Sequence, residues 1–234
     1  YTTLDSGAQE NLETAVYSYI NDETKIETAA IMMDPNTGGV MALIGGNNYN
    51  SSQFNRAIDS KRQVGSTMKP LLYYTALESG FTASSSFTSE KTTFTFAGDK
   101  TYCPKNYNDN YANGPISMAA AISYSDNVYA VKTHLFLGEN MLINTAKRIG
   151  ITSELTPIPS LALGTEEISL IEMTTGYSTF ANLGYKVNPH FIKKVEDSKG
   201  NVLYENKEEK EAVLNSSLTF ILNEMLTATY NKNF

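Results

Sequence analysis

The chain has 234 residues, enough for one large domain or a main domain with a small annex, and too many for a mini-protein. Apolar residues make up 41% against 18% charged, with 15 Tyr and 10 Phe, so a large core can form and intrinsic disorder is excluded as a description of the chain. Eighteen basic residues against 25 acidic ones leave a formal charge of -7, the wrong sign for a general phosphate-backbone binder, so no nucleic-acid partner is expected.

The single cysteine, Cys103, cannot form an internal disulfide, and His134 and His190 lie too far apart in sequence to suggest a zinc cluster. No run of 18 or more apolar residues occurs, and Tyr1-Thr2-Thr3-Leu4-Asp5 carries no basic segment followed by an apolar stretch. Any targeting segment or anchor is therefore expected outside this chain.

In chain order, Leu4, Ala8, Leu12, Ala15, Val16, Tyr19 and Ile20 recur at three and four, with Asp5 and Ser6 placed to cap the start, which predicts an amphipathic helix. Ala29–Met33 and Val40–Ile44 flank the turn-rich Asp34-Pro35-Asn36-Thr37-Gly38-Gly39 and predict a buried β-hairpin. A polar loop follows up to Gly65. Thr67–Leu77 reads as a helix, and Pro70 is tolerable there only in the first turn, so the helix begins at about Gly65 or Ser66.

Residues 80–114 form a long polar excursion with small strands, the alternation Thr93-Phe94-Thr95-Phe96 among them. Helices are predicted over Ile116–Ile122 and Val128–Leu137, interrupted at Tyr124-Ser125-Asp126-Asn127, and again over Asn140–Arg148, Ser169–Asn182 and Ser216–Tyr230. Phe191–Val195 and Asn201–Tyr204 flank Asp197-Ser198-Lys199-Gly200 as a hairpin. The fold class is α+β.

Gly65-Ser66-Thr67-Met68-Lys69-Pro70 places a hydroxyl and an amine three residues apart at a helix start, so both project from one face. A serine hydroxyl is inert at neutral pH without a proton acceptor, and a lysine accepts a proton only where burial or positive potential keeps it partly neutral. The same helix end offers the Ser66 amide to a developing oxyanion. Alone, Ser-x-x-Lys is weak, because Ser66 as a helix cap and Lys69 as an exposed helix lysine are the commoner fates of those residue types. Ser125-Asp126-Asn127 raises it by placing a second hydroxyl and a carboxamide in an interhelix loop, although Ser125 and Asn127 could also cap the following helix.

With these two motifs, the chain resembles the transpeptidase domain of a class A, bifunctional penicillin-binding protein along nearly its whole length, residues 1–234. The likeness includes Thr2-Thr3-Leu4-Asp5, Asp34-Pro35-Asn36-Thr37-Gly38, Gln53-Phe54-Asn55-Arg56-Ala57 and the run from Arg62 to Pro70. It continues through Pro104-Lys105-Asn106-Tyr107, Gly114-Pro115-Ile116-Ser117, Leu161-Ala162-Leu163-Gly164 and Tyr177–Gly184. One departure is that no Lys-Thr-Gly or Lys-Ser-Gly occurs before Phe234. In relatives that element lies on a cleft strand and supplies the second oxyanion amide, so a companion C-terminal piece carrying it is expected.

The resemblance implies a penicillin-binding-protein and serine β-lactamase-like fold: an antiparallel sheet flanked by helices, with an all-helical subdomain carrying the active-site helix. It implies a D-alanyl-D-alanine transpeptidase that cross-links peptidoglycan stem peptides, with Ser66 as nucleophile, Lys69 as its base, Ser125 passing a proton to the leaving group and Asn127 orienting the substrate amide. β-Lactams are then expected to acylate Ser66, with no metal or organic cofactor required. An upstream glycosyltransferase domain and work on the outer face of a bacterial plasma membrane are further implications.

Two alternatives remain at this point. One is a carboxypeptidase or β-lactamase-type hydrolase of the same fold, to which Glu211-Ala212-Val213-Leu214-Asn215 tempts, although that string lies far downstream and reads as a solvated helix start. The other is a non-catalytic penicillin-binding sensor or scaffold. Cys103 reads as structural, and Tyr102, Tyr107 and Tyr111 as packing residues.

Overall fold

The computed structural model describes residues 1–20, 26–207 and 209–230. In chain order the elements are α1 (Ser6–Tyr19), β1 (Ala30–Met33), β2 (Val40–Ile44), β3 (Lys61–Gln63), α2 (Lys69–Glu78), β4 (Ser86–Ser89), β5 (Phe94–Thr95), β6 (Thr101–Tyr102) and β7 (Gly114–Ser117). They continue as α3 (Met118–Ser123), α4 (Asn127–Leu137), α5 (Glu139–Arg148), β8 (Glu167–Ser169), α6 (Leu170–Ala181), β9 (Tyr185–Lys186), β10 (Lys194–Glu196), β11 (Val202–Glu205), β12 (Glu211–Ala212) and α7 (Ser216–Thr227). They form two compact units: Tyr1–Arg62 with Ile149–Ser153 and Ile168–Val213, and Gln63–Arg148 with Glu154–Glu167 and Leu214–Phe234.

In the first unit the predicted hairpin is present: β1 and β2 pair antiparallel, with Ile31 opposite Leu43 and Met32 opposite Ala42. Val40, Ala42 and Ile44 are buried in strict alternation, as a strand with one covered face requires. Asp5 caps α1 by accepting from the Ala8 amide at 2.9 Å. No residue of α1 is fully buried, because the helix runs along the margin of β2. There the Asp5 amide donates to Met41 O at 3.0 Å, and the Gln9 carboxamide both donates to Leu43 O (3.1 Å) and accepts from Leu43 N (2.8 Å). One side chain thus occupies the backbone groups that another strand would pair with. Each sheet among the described residues has two strands, and on the β2 side this saturated margin leaves Leu43 no free backbone group for a further strand.

Glu172 organises the same unit. It closes a capping box at the start of α6, where the Ser169 amide donates to Glu172 Oε2 at 3.1 Å and the Glu172 amide donates to Ser169 Oγ at 3.4 Å, and its carboxylate also accepts from the Ser169 hydroxyl (2.8 Å), from the amides of Thr152 (2.8 Å) and Ser153 (2.7 Å) and from both their hydroxyls. Burial pushes this carboxyl up, but hydrogen bonds from Ser153, Ser169 and Thr152 outweigh it and bring the pKa down to about 2. A depressed carboxyl contributes stability above its unfolded value of 4.5, and that contribution is lost as pH falls toward 2. Discounted for solvent screening, Glu172→Gln is expected to cost about 1–2 kcal/mol at neutral pH. In urea unfolding, the gap from wild type should narrow between pH 4.5 and 2; a gap that is absent at pH 7 would contradict the assignment.

The second unit is built around α2, in which every residue from Lys69 to Leu77 is buried. A helix apolar on all sides belongs at a centre, and α3, α4, α5 and α7 surround it. Two of its polar side chains are paired: Thr75 Oγ1 lies 2.8 Å from Thr145 Oγ1, and Tyr74 OH accepts from the Asn215 amide at 2.7 Å, fixing the start of α7, while the buried Tyr73 hydroxyl has no hydrogen-bond partner among the described residues. The excursion of residues 80–114 supplies β4, which pairs with β7, and the small β5–β6 hairpin.

Candidate active site

The predicted helix starts where expected, but its first turn, Gly65–Met68, is a 3-10 turn that runs into α2. Pro70 lies in the opening turn of α2, where no intrahelical bond is forgone. Gly65 has φ +60, a left-handed conformation, and its amide donates to Gly164 O at 3.0 Å. Gly164, itself at φ +67, packs so closely that a Cβ there would sit 2.1 Å from Gly65 O. Ser66, next in the chain, is exposed, whereas Lys69 is only 3% exposed.

The sequence places a second group opposite. Between α3 and α4 the chain turns through Ser125 at φ +53, a left-handed conformation uncommon for a residue with a Cβ. The turn is held by Ser125 N to Ile122 O (3.1 Å) and Asp126 N to Ala121 O (2.9 Å). The Lys69 Nζ donates to Ser125 O at 2.6 Å, to Ser125 Oγ at 3.0 Å and to Asn127 Oδ1 at 2.6 Å. Three of the four expected residues therefore meet around one amine. Among the described residues, Ser66 Oγ makes no hydrogen bond, and the Lys69 amine is held by the second motif.

Burial lowers the Lys69 pKa to about 8, and the negative charge of nearby Asp126 acts the other way. Roughly a tenth of such amines are neutral at pH 7. In the neutral form the amine keeps two N–H donors and gains a lone pair. The carbonyl of Ser125 and the Asn127 carboxamide oxygen can only accept, so the Ser125 hydroxyl is the one partner of the three able to reverse and donate to nitrogen. The loop is thus a device that can take or return one proton.

The cap of α4 is Asp126, whose Oδ1 accepts from Tyr129 N at 2.7 Å, and neither Ser125 nor Asn127 fills that role. Asp126 is buried, and its Oδ2 accepts from the buried Ser89 hydroxyl and from Asn106 Nδ2. Asp126 lies inside the Ser125–Asn127 motif and Asn106 inside the Pro104–Tyr107 match, but neither carries a role from spacing, and Ser89 stands in no motif; 37 and 20 residues separate Ser89 and Asn106 from Asp126. Glu211 lies on β12, opposite Lys186 of β9, and forms an ion pair with it at 2.8 Å instead of opening a helix. Cys103 is unpaired and half-buried. No described helix is long and apolar enough to cross a membrane.

A central buried helix with Ser-x-x-Lys at its start, facing a Ser-x-Asn turn between two further helices, defines the penicillin-binding-protein and serine β-lactamase-like fold. The model of the penicillin binding protein transpeptidase domain matches residues 28–233, so the chain belongs to that family. It is 47% identical over 232 residues to penicillin-binding protein 2D of Bacillus subtilis, covering 99% of this chain and 34% of that protein. Penicillin-binding protein 1A of Haemophilus influenzae superposes with a TM-score of 0.80 at 28% identity, over 88% of this chain and 36% of that one. PonA1 of Mycobacterium tuberculosis in complex with penicillin V gives 0.83 at 25%, over 96% and 62%. The chain spans about a third of the length of the B. subtilis relative.

Proposed function

We propose that this chain carries the acyl-transfer centre of a D-alanyl-D-alanine transpeptidase that cross-links peptidoglycan stem peptides. The observation that carries the reading is the buried Lys69 amine, poised near neutrality and held at 3.0 Å from Ser125 Oγ one helical turn from an exposed Ser66. In the reaction, Ser66 Oγ would attack the penultimate D-alanine carbonyl carbon while its proton passes to Lys69. Catalytic contacts of this kind tighten on substrate binding, so a resting lysine engaged with Ser125 is compatible with that step. The Ser66 amide would donate to the oxyanion.

Collapse of the adduct breaks the C–N bond, and the departing D-alanine amine needs a proton. Ser125 would deliver it and be resupplied by Lys69 across the same 3.0 Å contact. Asn127, whose Oδ1 holds Lys69 and whose Nδ2 donates to Lys105 O at 2.6 Å, keeps a second Nδ2 hydrogen for the substrate amide. An acceptor amine from a neighbouring stem peptide would then resolve the ester. The full protein's partners follow from this reading: donor and acceptor stem peptides, β-lactams, a C-terminal segment with Lys-Thr-Gly or Lys-Ser-Gly, and an upstream glycosyltransferase domain at the outer membrane face.

A β-lactam would present a strained amide to the same serine and leave a slowly released ester; the PonA1 relative is known in complex with penicillin V. Intact-mass measurement of the full-length protein with penicillin is expected to give one adduct, absent in Ser66→Ala. Adduct-free wild-type protein refutes the reading, and rapid release of hydrolysed penicillin would move the assignment to a hydrolase.

A further inference from the structure

We infer that Asn106, from the excursion of residues 80–114, is a positioning residue for the Ser125-Asp126-Asn127 turn and, through it, for the Lys69 amine. The inference rests on the acyl-transfer reading above. Helix α4 begins with three amides that have no intrahelical acceptor. Asp126 takes the third, from Tyr129, and Asn106 Oδ1 takes the first two, from Asn127 at 2.8 Å and Val128 at 3.3 Å. This cap is supplied from another segment. The opposite end of the same carboxamide, Nδ2, donates to Asp126 Oδ2 at 2.7 Å and to Asn110 O at 3.0 Å, and lies 3.4 Å from Ser89 Oγ.

Each end of the amide therefore meets its chemical complement: the oxygen faces N–H donors, and the nitrogen faces a carboxylate and a carbonyl. Flipped, it would set donors against donors and oxygen against a buried carboxylate. The adjacent Lys105 carbonyl accepts from Asn127 Nδ2, so two consecutive residues of the excursion hold Asn127 by its backbone and by its side chain. Since Asn127 Oδ1 and Ser125 supply all three partners of the Lys69 amine, a shift of this turn moves the proton acceptor itself.

Neither alanine nor aspartate reproduces this. Alanine removes both ends, and aspartate keeps the acceptor for the α4 amides but sets a second carboxylate against Asp126. The swap N106D together with D126N restores complementarity between the two positions, because the carboxylate now at position 106 would accept from the α4 amides and from the new carboxamide at 126, whose oxygen could still cap Tyr129 N; it forgoes only the bond to Asn110 O, which lies outside the turn. The test measures penicillin acylation in the full-length protein by stopped flow, separating the noncovalent Kd from the acylation rate constant k2.

Asn106→Ala and Asn106→Asp are each expected to lower k2 by roughly 10–100-fold, as loss of outer partners does at other preorganised sites, with Kd within about threefold. The swap is expected to return k2 to within about threefold of wild type. Wild-type k2 in either folded single variant overturns the inference, as does a folded swap variant with k2 still low. If both single variants fail to fold, the swap decides by the same measure, and failure of all three to fold makes Asn106 a folding residue and ends the positioning role. Wild-type protein that forms no Ser66 adduct is a different result: it removes the acyl-transfer reading, and this inference with it.

Discussion

Lys69→Arg is expected to slow penicillin acylation of Ser66 by about 10²–10⁴-fold, the scale of a lost general base. Arginine keeps the positive charge but does not give up its proton at any working pH, so the substitution separates the base from the cation. The wild-type rate should rise about tenfold per pH unit until it nears pH 8, where the Lys69 amine is half neutral, and level off above it. The sign follows from burial, which lowers this pKa below its usual 10.5. The same shift makes folding less favourable below pH 8 and relieves that penalty as pH rises from 8 toward 10.5. Stopped-flow acylation across pH 5–10 checks the rate. An arginine variant within tenfold of wild type at pH 7 would remove Lys69 from the proton path.

Gly164→Ala should cost about 3 kcal/mol of stability and at least roughly 100-fold in acylation. The added Cβ would lie 2.1 Å from Gly65 O and 2.5 Å from Gly65 N, both backbone atoms of the residue that precedes Ser66. Neither can rotate away as a side-chain end could, so either the 3-10 turn bearing Ser66 or the segment bearing Gly164 must move. A control isolates this collision from backbone strain. Gly98 also has positive φ, +73, but a Cβ there meets nothing within 4 Å, so Gly98→Ala should cost only about 1 kcal/mol and leave acylation intact. Denaturant unfolding and acylation of both variants provide the comparison. Equal effects at the two positions would show that the close approach is unimportant.

The core of this site was legible in the sequence because its parts are local. A hydroxyl and an amine three residues apart share a helix face through backbone geometry alone, and the proline after them marks the helix start. The interruption at Tyr124–Asn127 was visible because it divides two apolar stretches, and the structure puts a turn there. Asn106 stands in a segment that carries the family likeness, but its place in the network was not legible. Asn106 reaches Asp126 across a segment of irregular backbone with left-handed residues at Asn108, Asp109 and Asn113, for which no period exists to extrapolate. Ser89 is one hydroxyl in a Ser- and Thr-rich stretch, and only the β4–β7 pairing selects it for burial. Helix α1 is present where its apolar spacing and its Asp5 cap predict it. Its apolar spacing was real, but periodicity records which residues share a face and not how deeply that face is covered.

The pairing of Gln9 with Leu43 gives the first unit a polarity. Leu43 turns its backbone groups away from β1 to reach Gln9, so the opposing residue Ile31 turns its own away from β2. The hairpin can therefore be lengthened sideways in only one direction, across β1. Edge-to-edge clumping of two molecules through β2 is opposed by the Gln9 carboxamide on Leu43 and the Asp5 amide on Met41 O, both carried by the start of α1, so solubility at that margin depends on a helix of modest burial remaining docked.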